Sequence, residues 1–480
     1  ARAGPGRCRP AVRGPRRGGG RHRQVRALPQ VLRGAGLTGL TLAYYLKKAG
    51  KKVVVAERSD KPGGVIRTCT ENGFTFETGP NTGILSTPEI VDLFEELAPG
   101  VVPETPGSAS RSRWIWKKGK WHALPSGMAS AVSTPLFTTS DKMRILTEPF
   151  RKRGSDPDET VAGLVRRRLG ASYLDYAVDP FISGIYAGDP DRLITRHALP
   201  KLYNLEQDHG SFIKGAFKKK LSHKDDREKK VTREVFSVKG GLQKLTDAMA
   251  GRLNGDELLL SCRSVSVMPE EDGFTTNISL SSPEKSLIIR SSKVITTISS
   301  NNLPEVVGFL PSDYLKAITD LDYAKVVQVI AGYSNWDGIP VNAFGGLIPS
   351  REKRDALGIL FPSSIFQGRA PEKGALLSVF LGGIKRPDMI LKSDEELKSV
   401  TKKEIKETLA PLNSDPDLLK VNRYHYAIPQ YEKSTEVRLE AIRKAESEYP
   451  GLILAGNIRD GIGMADRVKQ ARTIAEQVIK

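Results

Sequence analysis

The chain has 480 residues, which at roughly 150 residues per domain is a prior of about three domains. Hydrophobic residues make up 39% and charged residues 27%, enough for a buried core and too apolar for global disorder. Lys and Arg number 74 against 55 Asp and Glu, a formal charge of +19 that suggests nucleic acid, anionic lipid or an acidic substrate. Residues 1–33, however, hold ten arginines and no acid. They carry +10 of that charge and leave +9 on the other 447 residues.

Cys8, Cys69 and Cys262 are too far apart for any C-x-x-C pair. This excludes a disulfide scaffold and argues against a zinc ribbon, so a reducing compartment, with the cytoplasm as default, is expected. No run of about 18 apolar residues occurs and no spanning helix is expected. Of the six histidines none has metal-ligand spacing, so no metal is expected; His197 and His209 read as structural.

Residues 1–33 are rich in Arg, Gly and Pro and show no hydrophobic period, so they read as a disordered basic extension or a mis-assigned start. An RGG-like nucleic-acid tail is the rival reading. A transit peptide would be serine-rich, and this segment has no serine. Pro29 and Arg33 make ALPQVLR a poor central strand, which puts the first strand in doubt.

Gly34-Ala35-Gly36-Leu37-Thr38-Gly39 fits G-x-G-x-x-G and runs into LTLAYYLKKAGK, whose Leu40, Ala43, Tyr44 and Leu46 mark a helical face. The strand KVVVAE then ends in Glu57, 21 residues past Gly36. Gly34 allows the tight turn, Gly36 lets backbone approach a pyrophosphate at the helix amino terminus, and Gly39 permits close helix–strand packing. Glu57 is spaced to accept hydrogen bonds from ribose hydroxyls. The combination predicts a dinucleotide site; an ordinary βαβ turn with a surface glutamate is the plain alternative.

Gly63-Gly64 followed by Arg67 makes a second glycine turn, and Gly79-Pro80-Asn81 breaks the strand after Phe74 and Phe76. A nicotinamide dehydrogenase does not need this second turn, whereas an extended FAD does. At the far end LILAGNIRDGIGMADRV reads as strand, loop and helix, with Gly456, Asn457, Gly461 and Gly463 before a helix amino terminus suited to an anion or a flavin edge. Each end alone is equally compatible with plain α/β structure.

Together these segments resemble the flavin amine oxidase superfamily, and within it the protoporphyrinogen oxidase branch. The resemblance runs from about Gly34 to the carboxyl terminus. It rests on ERSDKPGGVIRT and ETGPN, RWIWKKGKWHALPS (113–126), DPFISGIYAGDPDRL (179–193), LPKLYNLEQDHGS (199–211), FSVKGGLQKL (236–245), GGLIPS, LGILFPSSIF, VFLGG and LAGNIRDGIGMADRV in order. It implies an α/β fold in which a Rossmann-like FAD-binding domain (34–110, 230–300 and 435–480) is interleaved with a mixed-sheet substrate domain (301–434) and a helical insertion (111–229). The strand signals over 258–299 agree with this. It further implies cofactor contacts from Gly34, Gly36, Leu37, Thr38, Gly39, Glu57, Arg58, Gly63, Gly64, Arg67, Gly79, Pro80, Asn81, Gly456, Asn457, Ile462, Gly463 and Met464. The backbone of Val265 would meet the adenine end.

The family's substrate is a porphyrinogen, an apolar macrocycle with carboxylate arms. Arg113 matches the propionate-binding arginine, and Leu347, Leu360 and Phe380 match residues that clamp the macrocycle. By periodicity alone these three read as core. Gly184 matches a close approach of backbone to the ring, and Asn81 an asparagine near the flavin. Trp114, Trp116 and Trp121 could be a membrane-facing or stacking surface as readily as a pocket wall. The implied reaction takes protoporphyrinogen IX to protoporphyrin IX by hydride transfer to flavin, with dioxygen as acceptor, in heme and porphyrin biosynthesis. Rivals are coproporphyrinogen III oxidation and another superfamily oxidoreduction. The stretch 214–230 holds eight basic and three acidic residues and could meet anionic lipid, though a solvated loop is the plainer reading. Peripheral membrane contact, a homodimer, and a plastid or mitochondrial location in place of the cytoplasm are carried as expectations. No specific nucleic-acid partner is expected.

Overall fold

A computed structural model describes residues 28–107, 111–221, 226–281, 284–409 and 413–480. Residues 1–27, most of the basic extension, lie outside the described residues.

The heart of the half expected to bind FAD is a five-stranded parallel sheet. Its order is Leu258–Leu259, Val53–Ala56, Gln30–Arg33, Lys293–Thr296, Leu452–Leu454. Being buried on both faces, these strands read as apolar runs rather than as an alternation. On one face Leu40, Leu46, Leu245 and Val468 pack helices Leu37–Lys48, Gln243–Ala250 and Met464–Ile479 onto the sheet. On the other, Val31, Val265, Ile318 and Ile442 join it to an antiparallel meander (Cys262–Glu270, Gly273–Ser281, Glu284–Ser291) and to helices Ser312–Thr319 and Thr435–Glu448.

Two sequence-based boundaries need correction. Gln30–Arg33 is the central strand of this sheet, not part of an extension, so the unit begins at residue 30 and not 34. Pro29 lies just ahead of the strand, where its missing N–H breaks no ladder bond. Arg33 is tolerated at the last position because its Nη1 donates to the Ala56 carbonyl at 2.9 Å. At the other junction, Leu303, Val306, Leu310 and Ile318 bury themselves in the same core as Val31 and Val294, so this layer extends past residue 300.

The second sheet has seven strands in the order Leu418–Pro429, Tyr323–Tyr333, Ala375–Gly382, Ala356–Leu360, Gly345–Leu347, Trp114–Lys117, Lys120–Ala123. The last two come from the stretch read as a helical insertion. Trp114, Trp116 and Trp121 pack into the core between this sheet and helix Asp394–Leu409, and Trp121 Nε1 donates to the Thr408 carbonyl at 2.9 Å. They are neither a membrane face nor a stacking platform: the indole surfaces are spent on the sheet's back side.

The helices between Met128 and Leu221 surround a buried charge cluster. Arg168 and Glu148 are fully buried. Arg168 Nε donates to Glu148 at 2.7 Å and its Nη1 to Glu206 at 2.6 Å. Ser211 Oγ and the Phe212 amide complete Glu148, at 2.5 and 3.0 Å. Such a cluster persists because each charge is both paired and hydrogen-bonded.

Candidate functional site

At the carboxyl end of Gln30–Arg33 the chain turns through Gly34, whose φ of +108° is one that only glycine adopts without strain. A Cβ on Gly39 would lie 1.9 Å from the Gly34 carbonyl oxygen, and one on Gly64 3.1 Å from Gly36 Cα. A Cβ on Gly36, in contrast, meets nothing within 4 Å. The glycines therefore press the two turns together and leave open space in front of the first helix. That helix has no side-chain cap at Gly36 and no acid in its first turn, so the amides of its first turn (Leu37, Thr38, Gly39) can serve an anion. Glu57 is fixed at the end of the neighbouring strand, accepting the Ala35 N–H at 2.7 Å and the Ser59 N–H at 2.9 Å. An open cradle, unspent helix amides and a fixed carboxylate fit the pyrophosphate and ribose of a dinucleotide.

The other expected contacts distribute around this cradle. The Gly63 N–H donates to the Ala35 carbonyl at 2.8 Å, and Gly79 passes so close to Val65 that a Cβ would lie 1.9 Å from its carbonyl. Asn81 is half-buried, its Nδ2 donating to the Gly79 carbonyl at 3.2 Å. Arg67 is turned back onto the Lys61 carbonyl at 3.0 Å. Arg58 pairs with Glu305 at 2.8 Å on the surface. The Val265 side chain is in the core, which leaves only its backbone for a ligand.

The loop 456–463 is held from beneath. Gly456 N–H donates to Gln470 Oε1 at 2.9 Å, and Arg467 Nη2 donates to the carbonyls of Arg459 and Asp460 at 2.9 and 2.8 Å. Asp466 accepts the Gly463 N–H at 3.0 Å and caps the helix that begins at Met464.

Between the two halves stands Glu77. Its carboxylate accepts Arg369 Nη1 at 3.2 Å, Thr68 Oγ1 at 2.7 Å and the Leu242 N–H at 3.0 Å. Burial pushes this carboxyl up, against the downward pull of those donors. The Glu77 carbonyl accepts Gln328 Nε2 at 3.1 Å, which ties the seven-stranded sheet to the segment leading to Asn81. Glu77 sits inside ETGPN, but its partners Arg369 and Gln328 lie 292 and 251 residues away, and no local signal marks them.

Cross-strand register aligns Leu347 with Gly358, Gly358 with Phe380, and Phe380 with Gln328. Directly opposed residues share a face, and Leu360, two positions from Gly358, shares it too. The same face thus carries Leu347, Leu360 and Phe380, all partly exposed, and points toward Glu77. Helix Asp179–Tyr186 closes on it through Gly184, where a Cβ would lie 2.6 Å from Leu347 Cδ2. Arg113 is not within a strand but just ahead of Trp114–Lys117. It is exposed, its guanidinium 5.1 Å from the centroid of the Phe344 ring.

Residues 37–479 match the family described as flavin containing amine oxidoreductase. The chain belongs to that family. This flavoprotein is 32% identical to the mitochondrial protoporphyrinogen oxidase of Nicotiana tabacum, over 93% of this chain and 94% of that protein. It is 25% identical to the coproporphyrinogen III oxidase of Bacillus subtilis (strain 168), over 94% and 97%. A solved candidate protoporphyrinogen oxidase from Exiguobacterium sp. 255-15 shares the fold, with a TM-score of 0.77 at 22% identity and coverage of 94% and 98%. The flavoprotein is an FAD-dependent oxidoreductase with an α/β fold, as its sequence predicts.

Proposed function

We propose that this flavoprotein oxidises protoporphyrinogen IX to protoporphyrin IX with dioxygen as acceptor, a step of porphyrin and heme biosynthesis. The observation that carries the reading is the apolar face of Leu347, Leu360 and Phe380, with Gly184 pressed against Leu347. A broad apolar macrocycle with carboxylate arms needs such a wall and a few placed cations. FAD, when bound, would supply a two-electron acceptor, so that the six electrons and six protons of the oxidation would pass in three rounds to three dioxygen molecules.

The chain's own contribution is binding and orientation. Arg113 grips a propionate by parallel N–H bonds, which a planar guanidinium does better than an ammonium. The apolar wall fixes the ring plane and excludes water. Asn81, its amide held on the Gly79 carbonyl, keeps its oxygen for a pyrrole N–H next to the cofactor. Gly34, Gly36 and Gly39, with the amides behind them, take the pyrophosphate and Glu57 the ribose. The segments Gly63–Arg67, Gly79–Asn81 and Asn457–Met464 would hold the rest of the FAD.

Oxidation of coproporphyrinogen III is the second reading, favoured by the Bacillus relative. That substrate carries four propionates where protoporphyrinogen carries two, and the largely apolar face favours the latter. Val132, Leu146, Phe150 and Phe217 are exposed on the helical insertion, which also carries exposed Lys214 and Lys218; this supports contact with an anionic membrane surface. No described helix is long and apolar enough to cross a membrane. The mitochondrial and chloroplastic relatives favour an organelle over the cytoplasm.

The test is direct. Holoprotein is given protoporphyrinogen IX or coproporphyrinogen III in air, and porphyrin fluorescence is followed against a protein-free control. Faster gain with protoporphyrinogen IX supports the first reading, faster gain with coproporphyrinogen III the second. Gain at the control rate with both rejects the two together.

A further inference from the structure

Tyr431 lies two residues past the end of the long strand Leu418–Pro429 of the seven-stranded sheet and is only 3% exposed. Its hydroxyl reaches both ends of the loop 456–463. It accepts the Gly461 N–H at 3.1 Å, and it lies 3.1 Å from the Asn457 carbonyl and 3.0 Å from the Gly461 carbonyl, to either of which its proton can go. The Tyr431 carbonyl accepts the Ile194 N–H at 3.0 Å. Its ring meets that of Tyr186 edge-on, with centroids 6.4 Å apart, and Tyr186 closes the helix that holds Gly184 against Leu347. Burial pushes the phenol up to about 12, so it stays a protonated donor at working pH.

The other side chains that hold this loop by hydrogen bonds among the described residues, Gln470, Arg467, Asp466, Arg438 and Glu446, come from the flavin unit's own helices. Tyr431 is the anchor from the substrate side. A buried hydroxyl within reach of three backbone groups, at the junction of the flavin loop, the substrate sheet and the substrate helix, does more than fill space: removing it takes a partner from the Gly461 amide and from whichever loop carbonyl receives its proton.

We infer that Tyr431 is a positioning residue that sets the flavin-side loop against the substrate helix, so that losing its hydroxyl weakens FAD binding and loosens substrate together. The inference rests on FAD binding by the parent chain; failure of the parent apoprotein to bind FAD would defeat that premise and be seen as such.

Apoprotein of the parent and of Tyr431→Phe is titrated with FAD by flavin fluorescence, and apoprotein unfolding is followed in parallel. The expected result is an FAD Kd raised at least about tenfold and a raised KM for protoporphyrinogen, with the apoprotein Tm within a few degrees of the parent's. A variant with the parent's Kd and KM overturns the inference, as does a large fall in apoprotein Tm with Kd unchanged. Arg467→Lys weakens the same loop from the other side, and the double variant should lose less FAD affinity than the two single losses combined. Full additivity would count against a shared loop. Should the Phe variant not fold, hydrogen exchange at the Gly461 amide of the parent holoprotein decides. Added protoporphyrin IX, its binding checked by fluorescence quenching, should slow that exchange several-fold; unchanged exchange with porphyrin bound refutes the coupling.

Discussion

Arg369 and Glu77 form a buried ion pair, Nη1 to Oε1 at 3.2 Å, that joins a loop of the substrate sheet to the strand leading into the flavin site. Arg369 also donates to Ser237 Oγ at 2.8 Å. Arg369→Met leaves Glu77 charged and buried with one cation fewer, at a cost of about 3–5 kcal/mol. Denaturant unfolding should show this loss, and adding Glu77→Gln should recover a good part of it. A single variant as stable as the parent would mean that the pair contributes nothing net.

Gly184 admits helix Asp179–Tyr186 to the face bearing Leu347. Gly184→Ala puts a methyl 2.6 Å from Leu347 Cδ2, and overpacking of this kind costs about 1–3 kcal/mol. We expect kcat/KM for protoporphyrinogen to fall roughly tenfold or more while FAD content is unchanged. Leu347→Val, which withdraws the offending methyl, should restore much of the loss in the double variant. Equal loss in single and double variants would place the effect elsewhere.

Arg113 is exposed and rests on Phe344, so its removal leaves the fold intact. On the proposed role, Arg113→Gln removes a charge-assisted bidentate grip on a propionate worth about 1.5–3 kcal/mol. Steady-state fluorescence assays should show KM rising about ten- to hundredfold with kcat much less affected. A fall in kcat at constant KM would argue against propionate binding.

Arg33 is a buried cation at the end of a central strand whose Val31 and Leu32 are fully buried. Burial lowers its pKa, against the pull of Glu57. Replacing it with an apolar residue of similar length should be neutral or stabilising, so Arg33→Met apoprotein is expected to match or exceed the parent by about 1 kcal/mol. A strong destabilisation in denaturant would show that its bond to the Ala56 carbonyl is indispensable.

The cluster around Arg168 carries the acid sensitivity of the helical insertion. Burial alone would raise Glu148, but Ser211, the Phe212 amide and Arg168 outweigh it and hold the carboxyl below its ordinary 4.5. Burial also raises Glu206, and Arg167, the Gly154 amide and Arg168 again win. A depressed folded pKa stabilises fully above the unfolded value and is lost as pH falls through the folded one. Stability of the insertion should therefore be flat above about pH 5 and fall below about pH 4. Hydrogen exchange of residues 148–221 should accelerate there before that of the parallel sheet, and Glu148→Gln should flatten the dependence. Simultaneous loss in both regions would refute the assignment.

The sequence by itself determined what local chemistry determines. Gly34, Gly36, Gly39 and Glu57 are legible because a phosphate-binding turn demands those residues at that spacing. The strands and helices of the flavin unit are legible from their period. The family is legible from motifs in order. The first strand is hidden in the sequence because Pro29 and Arg33 violate strand propensity locally, whereas pairing on both edges and burial of Val31 and Leu32 override propensity. The role of the tryptophans was open because alternation says which residues share a face, not what that face packs against. The tertiary structure alone decided that Leu347, Gly358, Phe380 and Gln328 form one row, that Arg369 pairs with Glu77, and that Tyr431 spans the loop 456–463. Those contacts join residues far apart in the chain, through a strand register and a helix packing that no local pattern encodes.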